Sequence, residues 1–306
     1  MKARLLLAIE GGGTKTRVLL AKETGDILER WIGGPASGLY TRPVDGAKAF
    51  RALLEPVRKR VEGLNGRIVR IGMGGPMDVS LFESVARDMF GSAPITRVGE
   101  RQIALAVYGL GWGVALIAGT GASCTAVNES GQEASCGGCG PQFGDEGSGY
   151  WIGREAIAAA MRMADGRLEK TALADRLCAF YSVSRIWDVL NLVERGSGHV
   201  SGPRVAACVP VVFELARNGE PTSSRICRLA GRHLARLVCD TVCRVSWKSA
   251  RIPLVLAGGV FNGKRLITAP FAASFRQVPV PFTRYPPVCE PAEGLVNILC
   301  NKHRGG

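Results

Sequence analysis

At 306 residues the chain is long enough for about two domains of ordinary size. Apolar residues make up 46% and charged residues 21%, which excludes a disordered, collagen-like or coiled-coil protein. The net charge of +13 raises nucleic acid as a partner, but the basic residues are scattered and no aromatic-basic stripe runs through them, so a solvated basic surface suited to anionic ligands is expected.

The start, MKARLLLAIE, has only five apolar residues in a row before Glu10, too few for a secretory h-region. No apolar run approaches the ~20 residues of a membrane span. Ten cysteines without such a leader are therefore read as reduced thiols in a cytoplasmic protein.

In chain order, Leu5–Ile9, Val18–Ala21 and Ile27–Trp31 read as three antiparallel strands, with Thr24-Gly25-Asp26 turning between the last two. Apolar positions at Ala47, Phe50, Leu53, Leu54, Val57 and Val61 give helical spacing over 46–61, with a kink expected at Pro56. A buried-type strand at Ile68–Met73 runs into Gly74-Gly75. Helices are predicted at 80–90 and 101–108, and a strand at Ile95–Val98 between them.

The opening pattern then recurs. Val114–Ala118 is apolar, Gly119-Thr120-Gly121 is a turn, and Cys124–Asn128 is a second strand. A duplicated α/β unit would look like this. Beyond the glycine-rich stretch 137–149 the spacing predicts helices over 205–217 and 222–240. A late strand, Leu254–Ala257, stops at Gly258-Gly259, and a Pro-rich stretch, 279–291, leads to a final short helix.

The turn Glu10-Gly-Gly-Gly-Thr14-Lys15-Thr16 lies between two strands, where glycines let backbone N–H groups approach an anion and a threonine hydroxyl adds a donor. It is not a P-loop, which needs GxxxxGK[ST] ahead of a helix. Together with Gly119-Thr120-Gly121 it could hold the β- and γ-phosphates of a nucleotide, with Gly258-Gly259 a third close approach, to the nucleoside. Cys136-x-x-Cys139 could be half of a zinc site or plain packing. Asp145 and Glu146 could cap a helix starting near Ser148. His233 falls on an apolar helix face and reads as structural.

EGGGTKT at 10–16, GTG at 119–121, GDEGSGYWIGREA at 144–156, VPVVFELARNGEP at 209–221 and LAGGVFNGK at 256–264 resemble the N-acetylglucosamine kinase branch of the BadF-type ATPase family, in the sugar kinase/Hsp70/actin superfamily. The resemblance runs nearly end to end. It implies two ribonuclease-H-like, actin-like ATPase domains, 1–115 with the C-terminal helix 292–306 and 116–291, holding ATP and sugar in an interdomain cleft. Matched residue by residue, it implies that Gly12, Gly13, Thr14, Gly119, Thr120 and Gly121 cradle the phosphates and that Gly258 and Gly259 approach the nucleotide. It implies Glu10 near a magnesium ion, Glu100 as the catalytic base, and a sugar site of Ser123, Gly138, Cys139, Gly140 and Asp145.

The chain departs from the pattern at Glu100, where relatives have Asp, at Gly38, where they have Asn or Ser, at Cys139, where they often have Trp, and at Ala122, where they usually have Ser. The implied activity is ATP-dependent phosphorylation of an amino sugar, N-acetylglucosamine by default at O6, with ATP and Mg2+ as cofactors. The implied partner is a small-molecule sugar, without nucleic acid or membrane, and a homodimer is compatible with it. A non-catalytic or weakly active sugar/ATP-binding sensor of the same fold and a BadF-type activator ATPase are the alternatives, the second lacking its branch's cysteine motif here.

Overall fold

The computed structural model describes residues 2–12, 15–34, 43–75, 77, 79–195, 199–275, 281–288 and 290–300. The apolar run near the start becomes strand β1 (Ala3–Gly11), buried from Leu5 to Gly11. Its side chains alternate between two cores. Leu5, Leu7 and Ile9 join one cluster, whereas Leu6 and Ala8 join another. A strand covered on both faces needs apolar residues at every position, which is why this segment reads as a continuous run.

β2 (Thr16–Lys22) pairs antiparallel with β1, and β3 (Ile27–Gly33) pairs antiparallel with β2. After α1 (Pro43–Gly63), β4 (Gly66–Gly74) returns parallel to β1. α2 (Val79–Phe90) leads to β5 (Ile95–Val98), parallel to β4, and α3 (Glu100–Ala106) follows. The sheet order is β3-β2-β1-β4-β5. α1 and α2 cover the face lined by Leu5, Leu7 and Ile9 through Phe50, Leu54, Val57 and Phe82.

The second half repeats this plan. β6 (Gly113–Ala118), β7 (Ala122–Val127) and β8 (Glu133–Gly137) come first. Next are α4 (Gly140–Phe143), α5 (Gly149–Ala164), α6 (Ala172–Tyr181) and α7 (Val189–Val193). A separate two-stranded ribbon, β9 (Glu194–Arg195) with β10 (His199–Val200), precedes α8 (Gly202–Ala206), α9 (Val209–Arg217) and α10 (Pro221–Val242). β11 (Ile252–Ala257), α11 (Arg265–Ser274), β12 (Phe282–Arg284) and α12 (Ala292–Leu299) complete the chain.

The order here is β12-β11-β6-β7-β8, with β11 parallel to both β6 and β12. Written from the first strand outward, both sheets have the same 3-2-1-4-5 arrangement, so the duplicated α/β unit predicted from the two strand–turn–strand motifs is present. The chain divides into one unit up to Gly113 joined by the segment from Val288 onward, and a second unit, Val114–Pro287.

Several elements differ from their predicted form. α1 continues through Pro56 as one helix. The helix predicted over 205–217 is two, α8 and α9, separated at Ala207-Cys208. Pro210 sits in the first turn of α9, where a missing N–H costs no helical bond. α10 begins one residue before the predicted start, because the Glu220 carboxylate accepts from the N–H groups of Thr222 and Ser223 at 3.0 and 2.6 Å. The capping role open to Asp145 and Glu146 belongs to Ser148, whose Oγ accepts from Trp151 N–H at 3.1 Å.

α12 places Leu295, Val296 and Leu299 on the sheet face formed by Leu6, Ala8, Leu19 and Ala21. Leu295 is fully buried there. Leu295→Ala is expected to cost about 2–5 kcal/mol in a urea titration, the range for truncating a buried leucine. A loss near zero would show that the last helix does not complete the first unit.

Candidate active site

In the first unit the carboxyl ends of β1, β4 and β5 lie side by side. Glu10 is in register with Gly74, and Gly74 with Val98. Open α/β sheets bind ligands at this edge. The approach there is too close for side chains. Gly75 has φ +90°, and a Cβ on it would lie 2.1 Å from the Gly11 carbonyl oxygen. The turn that follows β1 is closed by Gly12 N–H donating to the Lys15 carbonyl at 2.8 Å. Gly13 and Thr14, the central residues of the predicted phosphate turn, lie outside the described residues, as does Gly38.

Glu10 is buried at this edge and forms an ion pair with Arg17 on β2 at 2.5 Å. The same guanidinium pairs with Glu290, ahead of α12, at 3.1 Å. Glu100 opens α3 two residues beyond β5, and is half-buried. Burial, with the negative charge of Glu10 as a second cause, pushes its carboxyl up to about 7. Two acids in each other's field at the end of a parallel sheet form an arrangement suited to taking up a proton or a hard cation.

The second unit has the equivalent edge. Gly258 has φ +107°, and a Cβ on it would lie 2.3 Å from the Ala118 carbonyl oxygen, repeating the contact of Gly75 with Gly11. Gly119 N–H donates to the Gly121 carbonyl at 2.9 Å, as Gly12 does to Lys15. The carbonyls of Gly119 and Thr120 accept from Gly149 and Tyr150 N–H at 2.7 and 3.0 Å, so the first turn of α5 fixes this loop from behind. Gly259 is exposed and its Cβ position is open, so packing does not require glycine there.

The residues expected to hold a sugar converge on one residue, Ala122. Asp145, buried and at φ +62°, accepts from Ala122 N–H through Oδ1 at 2.9 Å. On the other side of the same residue, Gly138 N–H donates to the Ala122 carbonyl at 2.8 Å. Ser123 is paired with Gly137 across β7 and β8. Cys139 and Gly140 continue from Gly138 into α4, and a Cβ on Gly144 would lie 3.1 Å from that of Cys139. Ser123, Gly138, Cys139, Gly140 and Asp145 are therefore neighbours. Burial raises the Asp145 carboxyl above its ordinary value, the Ala122 N–H bond opposes that, and Glu146 adds to it.

Sequence reasoning did not single out Arg17, Glu290, Gly75 or Gly149. Arg17 and Glu290 gave no signal, being far apart in the chain. The glycines did, since Gly74-Gly75 and Gly258-Gly259 both end strands. The structural equivalents are Gly75 and Gly258, however, one position out from aligning the two pairs. Among the described residues no group of three or more His, Cys, Asp or Glu could hold a metal ion, and no helix is long and apolar enough to cross a membrane. His233 packs edge-on against Trp151, with ring centroids 5.0 Å apart.

A Cβ on Gly121 would lie 2.8 Å from Asp145 Oδ2, whereas one on Gly119 meets nothing within 4 Å. Gly121→Ala should cost about 1–3 kcal/mol by overpacking. Gly119→Ala should stay within about 0.5 kcal/mol of the parent, as an unhindered substitution does. Equal urea midpoints for the two variants would contradict this packing.

Glu100 gives a pH prediction. Its folded carboxyl titrates above the unfolded one, so the native state binds the extra proton between roughly pH 4.5 and 7. Its contribution to stability is present below that window and lost as pH rises through about 7. Glu100→Gln should therefore gain stability relative to the parent on going from pH 5 to pH 8. A constant difference in melting temperature across that range would contradict the assignment.

Comparison with known proteins identifies the family and the fold. The model of the BadF/BadG/BcrA/BcrD ATPase family matches residues 7–294. The chain is 31% identical to the N-acetylmuramic acid/N-acetylglucosamine kinase of Clostridium acetobutylicum, over 85% of this chain and 86% of that protein. It is 26% identical to the N-acetyl-D-glucosamine kinase of Dictyostelium discoideum, over 88% and 89% of the two chains. A crystal structure of a Chromobacterium violaceum protein provisionally assigned as an N-acetylglucosamine kinase superposes with TM-score 0.74 at 23% identity, covering 97% of this chain and 99% of that one, and shows the fold.

Proposed function

Because the chain belongs to the BadF/BadG/BcrA/BcrD ATPase family, we propose that it is an ATP-dependent kinase of amino sugars, with N-acetylglucosamine phosphorylated at O6 as the default reaction. The observation that carries this reading is Glu100, a carboxyl held near pH 7 at the end of β5 and close enough to Glu10 to feel its charge. A general base works best with a pKa near the working pH. The names of the Clostridium and Dictyostelium relatives supply the substrate class.

Phosphoryl transfer needs positioning and charge stabilisation more than covalent chemistry from the protein. In this reading the turns Gly12–Thr14 and Gly119–Gly121 contact the phosphates through the Thr14 and Thr120 hydroxyls and through backbone N–H groups other than those of Gly12 and Gly119, which close the turns. Gly258 and Gly259 border the nucleoside. Asp145 and Ser123, with the backbone of Gly138–Gly140, orient the sugar. Glu100 accepts the proton of the sugar hydroxyl as its oxygen attacks the γ-phosphorus and ADP leaves.

The residues present fit a magnesium ion. Arg17 takes one oxygen of the Glu10 carboxylate, and no all-protein cage exists among the described residues. Mg2+ is commonly held by one or two carboxylates, waters and substrate phosphates rather than by such a cage. Glu10 would hold the ion through water, and the chemistry the ion supplies is to offset charge on the β- and γ-oxygens.

A coupled ADP-release screen over N-acetylglucosamine, N-acetylmuramate, glucosamine, N-acetylmannosamine and glucose tests the reading. N-acetylglucosamine or N-acetylmuramate should give the highest kcat/KM. Glu100→Gln should keep the fold and ATP affinity while turnover drops by roughly 10²–10⁴, and Glu100→Asp should retain most of it. Wild-type-like turnover by the Gln variant would remove Glu100 from the chemistry. No ADP release with any amino sugar would overturn the kinase assignment.

A further inference from the structure

The described cysteines are not joined in disulfides, and the reaction uses no sulfur, yet two of them stand at the edge of the residues proposed to hold the sugar. Cys136 is half-exposed near the end of β8, and Cys139 is exposed at the start of α4. Between them, Gly137 and Gly138 have φ +76° and +70°, so the chain curls back sharply. The curl folds the Cys139 thiol over the residue that follows Cys136, where Sγ donates to the Gly137 carbonyl at 3.7 Å. On the other side, a guanidinium N–H of Arg244, just past α10, donates to Cys136 Sγ at 3.6 Å. This contact sets a guanidinium beside a solvent-reached sulfur, where it can offset the negative charge that an attacking sulfur carries in disulfide exchange.

We propose that Cys136 and Cys139 form a redox modification site, in which a low-molecular-weight disulfide such as oxidised glutathione converts the two thiols into a Cys136–Cys139 bond that controls amino-sugar binding. The effect on binding rests on the kinase reading above, whereas the bond itself does not.

The chemistry balances with the disulfide as oxidant. The Cys136 thiolate, its proton given up to solvent, attacks one glutathione sulfur. That S–S bond breaks and glutathione leaves as a thiolate. Cys139 then loses its proton and attacks the Cys136 sulfur of the mixed disulfide, expelling the second glutathione. Both leaving thiolates take up protons. Two protein thiols are oxidised and one glutathione disulfide is reduced to two thiols.

A different pairing is sterically open to Cys136. Cys124 faces it directly across β7 and β8, and directly opposed residues in an antiparallel ladder have Cα atoms about 4.5–5.5 Å apart, inside the disulfide range. Cys124 is fully buried, however, and burial pushes its thiol up to about 12, so it stays protonated and resolves a mixed disulfide slowly. Exposed Cys139 wins that competition. The functional consequence follows from position. Cys136 is one residue from Gly137, which pairs with Ser123, and Gly138 N–H holds the Ala122 carbonyl whose own N–H binds Asp145. A bond closing across Gly137-Gly138 changes the backbone that sets this group.

The test equilibrates the whole protein in glutathione redox buffers, traps free thiols by alkylation and maps the peptides. A Cys136–Cys139 link is expected in the parent and in Cys124→Ala, and Arg244→Gln should slow its formation severalfold. In coupled assays the oxidised protein should show a severalfold higher KM for the amino sugar with the KM for ATP held, reversed by dithiothreitol and absent in Cys136→Ser. The proposal is overturned if Cys136 and Cys139 stay reduced where exposed Cys243 is glutathionylated, or if Cys136 links to Cys124 instead. A Cys136–Cys139 bond that leaves the sugar KM unchanged would overturn the control of binding. If the reduced protein phosphorylates no amino sugar, the kinase reading is what fails, and the peptide map still decides the bond.

Discussion

The close approach of backbone to backbone at the ends of the parallel strands is the constraint on which both units depend. At Gly75 and Gly258 a methyl group would sit 2.1 and 2.3 Å from a carbonyl oxygen on the first strand of its sheet, far inside van der Waals contact. Both residues also hold a positive φ that other L-residues seldom adopt. With no side chain there, the ends of β4 and β11 lie flush against those of β1 and β6. The loops that follow β1 and β6 are then each closed by one N–H bond to a carbonyl two or three residues on. A side chain at either glycine would force these loops outward and separate the groups that follow them.

On that shared frame the two units carry opposite chemistry. In the first, the strand ends bear carboxylates, and their mutual repulsion has to be managed. Arg17 does this by reaching both Glu10 and Glu290 with one guanidinium, so a buried acid at the end of β1 is not left uncompensated. At Glu100, by contrast, burial and the charge of Glu10 both act to keep the proton on. In the second unit the corresponding strand end, Ile117-Ala118, is apolar. Asp145, with Glu146 beside it, points back at a backbone N–H.

How much of this was legible in the sequence follows from what each feature depends on. β1 was readable because burial on both faces demands an unbroken apolar run, and the duplication was readable because each copy repeats a strand, a glycine turn and a strand. α5 was signalled by GDEGSGYWIG, although the chain alone did not say that Ser148 would cap it while Asp145 turned to Ala122. β8 gave no strand pattern of its own, because Glu133–Gly137 alternates exposed and half-exposed residues with no apolar stripe, and only the hairpin turn Glu129-Ser130-Gly131-Gln132 pointed to it. The break between α8 and α9 was hidden because Val205, Cys208, Val209 and Val212 keep one helical spacing across it. The site was legible where its residues are close in the chain, as in Gly119–Gly121 and Gly138–Asp145. The Glu10–Arg17–Glu290 group was not, since it joins the first strand pair to a segment more than 250 residues later through Arg17 and Glu290, neither of which stood out in the sequence.

The same contrast bears on the proposed role of Glu100, at a position where the resemblance implies Asp. A longer side chain moves a carboxylate by about the length of one bond, and a displacement of about 1 Å can cost a hundredfold in rate when the surroundings are fixed. Here the backbone behind Glu100 is set by Val98, whose carbonyl lies against Gly74 so closely that a Cβ on that glycine would be 2.3 Å away. α3 is held in turn by α12, where Gly294 meets the Ile103 carbonyl with no room for a side chain. The start of α3 is therefore rigid, and a longer side chain extends from a fixed base. What tunes such a carboxyl is its electrostatic setting, and here burial and Glu10 place its titration near neutrality, where a base is effective.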